Sequence, residues 1–149
     1  QKNGKNGKSS RKIVDMRSTK IVTSFIRDNE KLLILKRSDK VKSMKGLWAG
    51  ISGIIENNEE PLSRAKIEIF EEAGITEDKI TLIKASEEMK IHSPQYKNHE
   101  WEIFPFLFES SKPTIKLNWE NSDFKWISIE ELENHETVPS LQKVLFNLL

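Results

Sequence analysis

The chain has no cysteine among its 149 residues, so it forms no disulfide, offers no thiolate to a metal and holds no cysteine nucleophile. Any chemistry it performs must use oxygen and nitrogen groups, and a reducing, cytoplasmic setting fits that composition. No apolar run approaches the roughly 20 residues that cross a bilayer, and the N-terminal stretch lacks the apolar segment of a secretory signal. The expectation is a protein with no membrane contact. Glycine and proline are sparse, at six and five residues, so each one inside a patterned segment carries positional information. A dominant charge is also lacking, since the net charge is +1, but the distribution is uneven. Residues 1–20 carry seven basic side chains and one acid, a net of +6, which leaves −5 for the remainder. Residues 1–10 are only Gln, Lys, Asn, Gly and Ser and cannot bury apolar surface. We expect residues 1–19 to be a basic, disordered tail and residues 20–149 to be one domain around a single core. A basic arm can touch a polyanion, but the acidic body disfavours nucleic acid as the main partner.

From residue 20 short apolar runs alternate with turn residues. Residues 21–26 and 31–35, separated by Asp28 and Asn29, predict a β-hairpin. Residues 36–45 form a basic, polar loop, and residues 47–55 return to extended character with Gly50 and Gly53 inside them. A helix should run from Pro61, preceded by Glu59 and Glu60, to a C-terminal cap at Gly74. Residues 80–85 and 101–108 predict two more strands, the second demoted to an edge or bulged strand by Pro105. Between them, residues 87–98 read as a polar connection. Residues 124–127 predict a strand running into the capping box Ser128 to Glu131, and residues 141–149 a closing helix. Interleaved strands and helices without regular alternation give an α/β fold of the mixed α+β kind, a mixed sheet flanked by helices.

The chemistry concentrates between residues 53 and 75. On a helical wheel Leu62, Ala65, Ile69 and Ala73 form a narrow apolar stripe, and Glu68, Glu71 and Glu72 fall within one arc beside it. Like charges three and four residues apart destabilise a helix by about 0.2–0.5 kcal/mol per pair unless a cation sits among them. Oxygen-only ligands suit Mg²⁺, with Mn²⁺ as a second option. An acidic run of this kind is ordinarily a solvated helix face, and its surroundings decide otherwise. Gly53, Glu59, Glu68, Ile69, Glu71, Glu72, Gly74 and Ile75 match eight of the nine positions of a long signature: Gly, five residues, Glu, seven residues, Arg-Glu-aliphatic, one residue, Glu-Glu, one residue, Gly-aliphatic. This resembles the box of the Nudix hydrolase family, MutT-like members included. The likeness extends over the segment 125–132 and covers the chain from residue 20 onward. It implies an α/β/α sandwich with the mixed sheet between helices.

The mismatch is Ile67, where the family has Arg. In the family that Arg is taken to hold a catalytic Glu by a salt bridge; Ile67, four residues before Glu71, cannot. Arg64, four residues before Glu68, is a candidate substitute one turn earlier. The resemblance further implies Glu68, Glu71 and Glu72 as catalytic metal ligands and the backbone carbonyl of Ser52 as another. Glu120, six residues before Trp126, resembles a further ligand or general base, Arg37 a substrate-phosphate contact, and Gly53, Glu59 and Gly74 structural positions. His92, His99 and His135 have no metal-ligand spacing, and Trp48, Trp101, Trp119 and Trp126 are expected in core or rim packing, with base stacking as the alternative. The implied function is metal-dependent hydrolysis of a phosphoanhydride in a nucleoside diphosphate linked to another moiety, a nucleotide-type small molecule, by a monomer or homodimer. The alternative is a Nudix-fold nucleotide-binding or regulatory module with little or no turnover, suggested by Ile67.

Overall fold

The computed structural model describes residues 17–92 and 97–149. Strands β1 (Arg17–Asp28) and β2 (Lys31–Arg37) form the expected hairpin, turned at Asn29, whose φ of 56° is a conformation that Asn tolerates. Two short strands, β3 (Trp48–Ala49) and β4 (Ile51–Ile54), lead to helix α1 (Pro61–Ala73). A 3₁₀ turn, Glu77–Lys79, precedes β5 (Thr81–Ala85), β6 (Met89–His92), β7 (His99–Glu109) and β8 (Asn121–Ile127). The chain then forms the 3₁₀ segment Ile129–Asn134, with its capping box, and helix α2 (Leu141–Phe146).

The sheet is mixed. β1 runs parallel to β7 along its length, from Arg17↔His99 to Arg27↔Glu109, while its other edge is shared. β2 takes the end at residues 27 and 28, and β4 takes residues 21–24 in antiparallel register. β8 and β3 add to β2, while β5 and β6 pair successively with β7. The sheet therefore forks between β2 and β4, with one arm of β3, β2 and β8 and another of β4, β1, β7, β5 and β6.

Both faces are covered, which explains the near-continuous apolar runs. Alternate residues of β1, β2 and β7 point to opposite sides. Phe25, Leu32, Ile34, Ile103 and Leu107 pack with Leu141, Val144 and Leu145 of α2, whereas Val22, Ile26, Leu33, Leu35 and Phe108 pack with Ala65, Ile69 and Ala73 of α1. Of the expected helix stripe, Ala65, Ile69 and Ala73 are fully buried and Leu62 half-buried. α1 stops where Gly74 takes φ 75° and donates its N–H to the Phe70 carbonyl at 2.9 Å.

Several expectations are corrected. β1 begins at Arg17, so residues 17–19, assigned to the basic tail, belong to the domain; the rest of that tail, residues 1–16, lies outside the described residues. β7 is an interior strand despite Pro105. The Pro105 carbonyl accepts from Ser86 N–H, so its ring nitrogen faces that same edge, in the gap between β5 and β6 where no carbonyl of a paired strand awaits a donor. Part of the segment read as a polar connection is β6, held by pairing to β7 rather than by its own pattern, and residues 93–96 lie outside the described residues. α2 ends at Phe146, three residues short of the expected helix.

Candidate active site

A cavity of about 520 Å³ lies in the fork of the sheet. Glu68 and Glu72 enter it from α1, Glu120 from the loop before β8, and Thr23 and Ser52 line it from β1 and β4. Part of its lining is apolar, made by Ile21, Ile91, Trp101, Ile103, Leu141 and Val144.

Glu68 and Glu72 are four residues apart on one side of α1, and they are only 8% and 5% exposed. Oxygens of Glu68, Glu72 and Glu120 all lie within 4.8 Å of one another. Gly53 makes room for this arrangement: a Cβ there would sit 2.6 Å from Glu68 Oε2 and closer still to its Cδ. Glycine is required here for close approach, since its backbone φ is ordinary. Glu72 Oε1 accepts from Asn121 Nδ2 at 3.1 Å, whereas Glu72 Oε2 is buried with no donor in reach. Burial pushes the Glu72 carboxyl well above the usual range, Glu120 pushes it further, and the Asn121 hydrogen bond opposes both. Glu68 is also raised by burial, with Arg64 opposing and Glu71 adding to the rise.

Arg64 forms a fork between two carboxylates. Its Nε and Nη2 donate to Glu59 at 3.0 and 2.6 Å, and its Nη1 donates to Glu68 Oε2 at 2.9 Å. Glu59 Oε1 also accepts from Glu56 N–H at 2.7 Å, which ties the loop before α1 to the same guanidinium. The Arg64 hydrogen bond, then the Glu56 N–H, hold Glu59 below the usual carboxylate range. The substitute contact expected of Arg64 is thus directed to Glu68 and Glu59, and not to Glu71.

The expected metal set divides. Glu71 lines the cavity as an exposed side chain and stands outside the trio within 4.8 Å, because three residues of helix rotate it towards solvent relative to Glu68. Ser52 lines the cavity with its hydroxyl 3.1 Å from that of Thr23. Arg37 also lines it, but its Nε and Nη2 donate to the Ser43 carbonyl at 3.2 and 3.0 Å, so much of the guanidinium braces the basic loop instead of facing a ligand. Lys40 and Lys42 are exposed and outside the lining. His135 packs edge-on to buried Trp48 beneath Lys125, and His99 tilts against Trp101, with ring centroids 4.9 Å apart.

Sequence reasoning missed two residues that build the site. Asn121 anchors Glu72, and a buried Asn opening a strand next to Glu120 was its only signal. Ser38 donates its N–H to the Glu120 carbonyl and its hydroxyl to the Trp119 carbonyl, both at 2.8 Å, so it fixes the Glu120 loop from 81 residues away. No local pattern announces such a contact.

Residues 17–148 match the family model described as the NUDIX domain. The chain belongs to the Nudix hydrolase family. This makes it a Nudix-type pyrophosphohydrolase, an enzyme acting on acid anhydrides. A curated relative, dihydroneopterin triphosphate diphosphatase of Haemophilus influenzae, is 27% identical over 151 residues, covering 86% of this chain and 87% of the relative. Among solved structures, a MutT protein from Methanosarcina mazei superposes with a TM-score of 0.69 at 20% identity, covering 87% of this chain and 91% of that one. A C. elegans Ap4A hydrolase binary complex gives 0.67 at 16%, covering 88% and 93%. These structural likenesses establish the Nudix α/β/α sandwich. Among the described residues no helix is long and apolar enough to cross a membrane.

Proposed function

We propose that this Nudix domain hydrolyses a phosphoanhydride bond in a nucleoside diphosphate linked to another moiety, with the phosphates over Glu68, Glu72 and Glu120 and a planar group against the apolar part of the lining. The observation that carries the reading is the buried Glu72 carboxyl, whose Oε2 has no hydrogen-bond partner and one of whose oxygens lies within 4.8 Å of oxygens of Glu68 and Glu120. Buried charges persist when paired or when they coordinate metal, and Arg64 reaches only Glu68 of the three. The all-oxygen donor set fits a hard divalent ion, with Glu68, Glu72 and Glu120 as its holders and Glu71 and the Ser52 carbonyl as further candidates. When bound, Mg²⁺ or Mn²⁺ supplies the positive charge that neutralises the phosphates and lowers the pKa of the attacking water.

The chain's own residues do the rest. Arg64 fixes Glu68 and opposes the rise that burial imposes on its carboxyl, Asn121 holds Glu72, and Ser38 holds the loop that presents Glu120. A carboxylate of this set accepts the proton of the water as its oxygen attacks phosphorus. The apolar part of the lining takes up a heterocycle. The named substrates of the curated relative and of the C. elegans hydrolase are both phosphate chains on heterocycles, which supports the reading. The alternative, a binding module without turnover, draws on Ile67; the fork made by Arg64 orients Glu68 and Glu59 instead of Glu71, so it gives the site a different positioned carboxylate and not the one that Ile67 leaves free. A panel of nucleoside triphosphates, oxidised nucleotides, nucleotide sugars and dinucleoside polyphosphates, with Mg²⁺ or Mn²⁺, tests it. Hydrolysis of at least one member that stops in EDTA is expected; activity surviving EDTA, or none on any member, would overturn the proposal.

A further inference from the structure

The turn of residues 118–121 carries one carboxylate of the acidic trio and the amides that touch two of them. Asn121 Nδ2 donates to Glu72 Oε1, and Asn118 Nδ2 donates to Glu120 Oε1, both at 3.1 Å. Asn118 Oδ1 accepts from the Glu120 N–H at 3.1 Å, and the Asn118 carbonyl accepts from the Asn121 N–H at 3.4 Å. Chemistry fixes which way the Asn118 amide points. The backbone N–H can only donate, so the side-chain oxygen faces it and the NH2 group is left for the carboxylate. With Arg64 Nη1 on Glu68 Oε2, each carboxylate of the trio has one oxygen on an N–H donor from another residue.

Glu120 needs such a hold more than its two neighbours do. Glu68 and Glu72 are buried on a helix, whereas Glu120 is half-buried on a loop, where a long side chain loses rotamer freedom if it is kept in one place. Like charge also drives it away, since Glu120 acts to raise the carboxyls of both Glu68 and Glu72. Without a cation among the three, repulsion favours a rotamer that swings Glu120 into water. The two hydrogen bonds from Ser38 go to the carbonyls of Trp119 and Glu120, so they fix the backbone and leave the carboxylate free to turn. Among the described residues, the hydrogen bond that reaches the Glu120 carboxylate comes from Asn118.

We propose that Asn118 is a positioning residue for Glu120, keeping its carboxylate turned towards Glu68 and Glu72 so that the three hold one divalent cation. This rests on the cation-holding role given to Glu120 above, and the test reads binding without substrate. Mn²⁺ affinity is titrated into the millimolar range, by the electron paramagnetic resonance signal of the free ion, in the parent, Asn118→Ser, Glu120→Ala and the double variant. Melting temperatures of the metal-free proteins control for folding. Serine keeps an oxygen that accepts from the Glu120 N–H, so the turn is retained while the amide donor is lost. Asn118→Ser should weaken Mn²⁺ binding by about tenfold, as loss of a hydrogen-bond partner of a metal ligand does, and leave the melting temperature within about 2 °C. Glu120→Ala should weaken binding at least as much, and adding Asn118→Ser to it should cost less than about twofold more, because no carboxylate is left to position. A merely structural Asn118 would loosen the turn whatever stands at position 120, so an equal loss in both backgrounds would overturn the proposal. Unchanged affinity in Asn118→Ser, or a parent that binds no Mn²⁺, would overturn it too. If Glu120→Ala binds Mn²⁺ as the parent does, Glu120 holds no cation and the proposal falls, while hydrolysis of the substrate panel separately decides the phosphoanhydride reading.

Discussion

Removing the Arg64 guanidinium tests the site at its most specific departure from the family. Arg64→Ala deletes three charge-assisted hydrogen bonds, at 2.6, 2.9 and 3.0 Å, and leaves Glu68 buried beside Glu71 and Glu120 with no cation against it. A hydrogen bond to a charged group contributes about 1.5–3 kcal/mol, so a step that needs Glu68 ionised and in place should slow roughly 10- to 150-fold. The pH profile should also move. Arg64 opposes the rise of the Glu68 carboxyl, so its loss raises that pKa further, and the acid limb of kcat/KM should shift to higher pH. A merely structural role would leave that limb in place. Arg64→Lys keeps the charge but loses the fork and should fall between. Ile67 is 41% exposed, so Ile67→Arg places its charge in water and should leave the melting temperature within about 2 °C. It should raise kcat in the parent and rescue part of the Arg64→Ala loss, giving a coupling on the order of 0.5–3 kcal/mol in the double-mutant cycle. Steady-state kinetics with Mg²⁺ over a pH series measures all of this. Strict additivity, with Arg64→Ala within threefold of the parent, would refute the reasoning.

Gly53→Ala pushes a methyl group into Glu68 and should cut kcat by more than tenfold while far-ultraviolet circular dichroism stays unchanged; full activity would show that Glu68 has another place to go. Glu72→Gln should abolish activity by about 100-fold or more and yet raise the melting temperature of the metal-free protein at pH 7–8. The sign follows from the raised carboxyl of Glu72: in the parent its favourable contribution is present at low pH and lost as pH rises through the folded-state pKa, so the gain from Gln should vanish in acid. A gain that persists in acid would contradict it. Deleting residues 1–10 should leave soluble yield and hydrolysis within about twofold, because that stretch has no apolar residue to pack; a large loss of soluble protein would count against it.

What the sequence made legible was short-range. Strands buried on both faces read as apolar runs, the stripe of Ala65, Ile69 and Ala73 read as a helix, and Gly74 read as its end, because each signal lies within a few residues of its effect. The errors lie where a distant partner decides. Pro105 demotes a strand only if its missing N–H faces a paired carbonyl, and the break between β5 and β6 removes that condition. β6 is a strand by virtue of β7. The wheel's grouping of Glu71 with Glu68 and Glu72 is not among these errors: all three line the cavity, Glu68 and Glu72 from buried positions and Glu71 from an exposed one. Glu120 could be pointed to by resemblance alone, and the hydrogen bonds from Ser38 and Asn121 that hold its loop and Glu72 span distances no local pattern encodes.

The cost of the acidic trio bears on turnover versus binding alone. A module that only held a nucleotide would be better served by neutral side chains at positions 68, 72 and 120, since burial and mutual repulsion both act against the ionised carboxylates of Glu68 and Glu72. Gly53 adds backbone freedom in the unfolded chain to that cost, and its missing Cβ is what lets Glu68 sit where it does. Arg64 offsets only the Glu68 part, leaving Glu72 Oε2 without a donor. On the reading proposed above, a cation held by Glu68, Glu72 and Glu120 would relieve that deficit. A site whose protein charges balance only with that ion present is suited to neutralising charge that develops on phosphate during attack, a demand that ground-state binding of a nucleotide does not make.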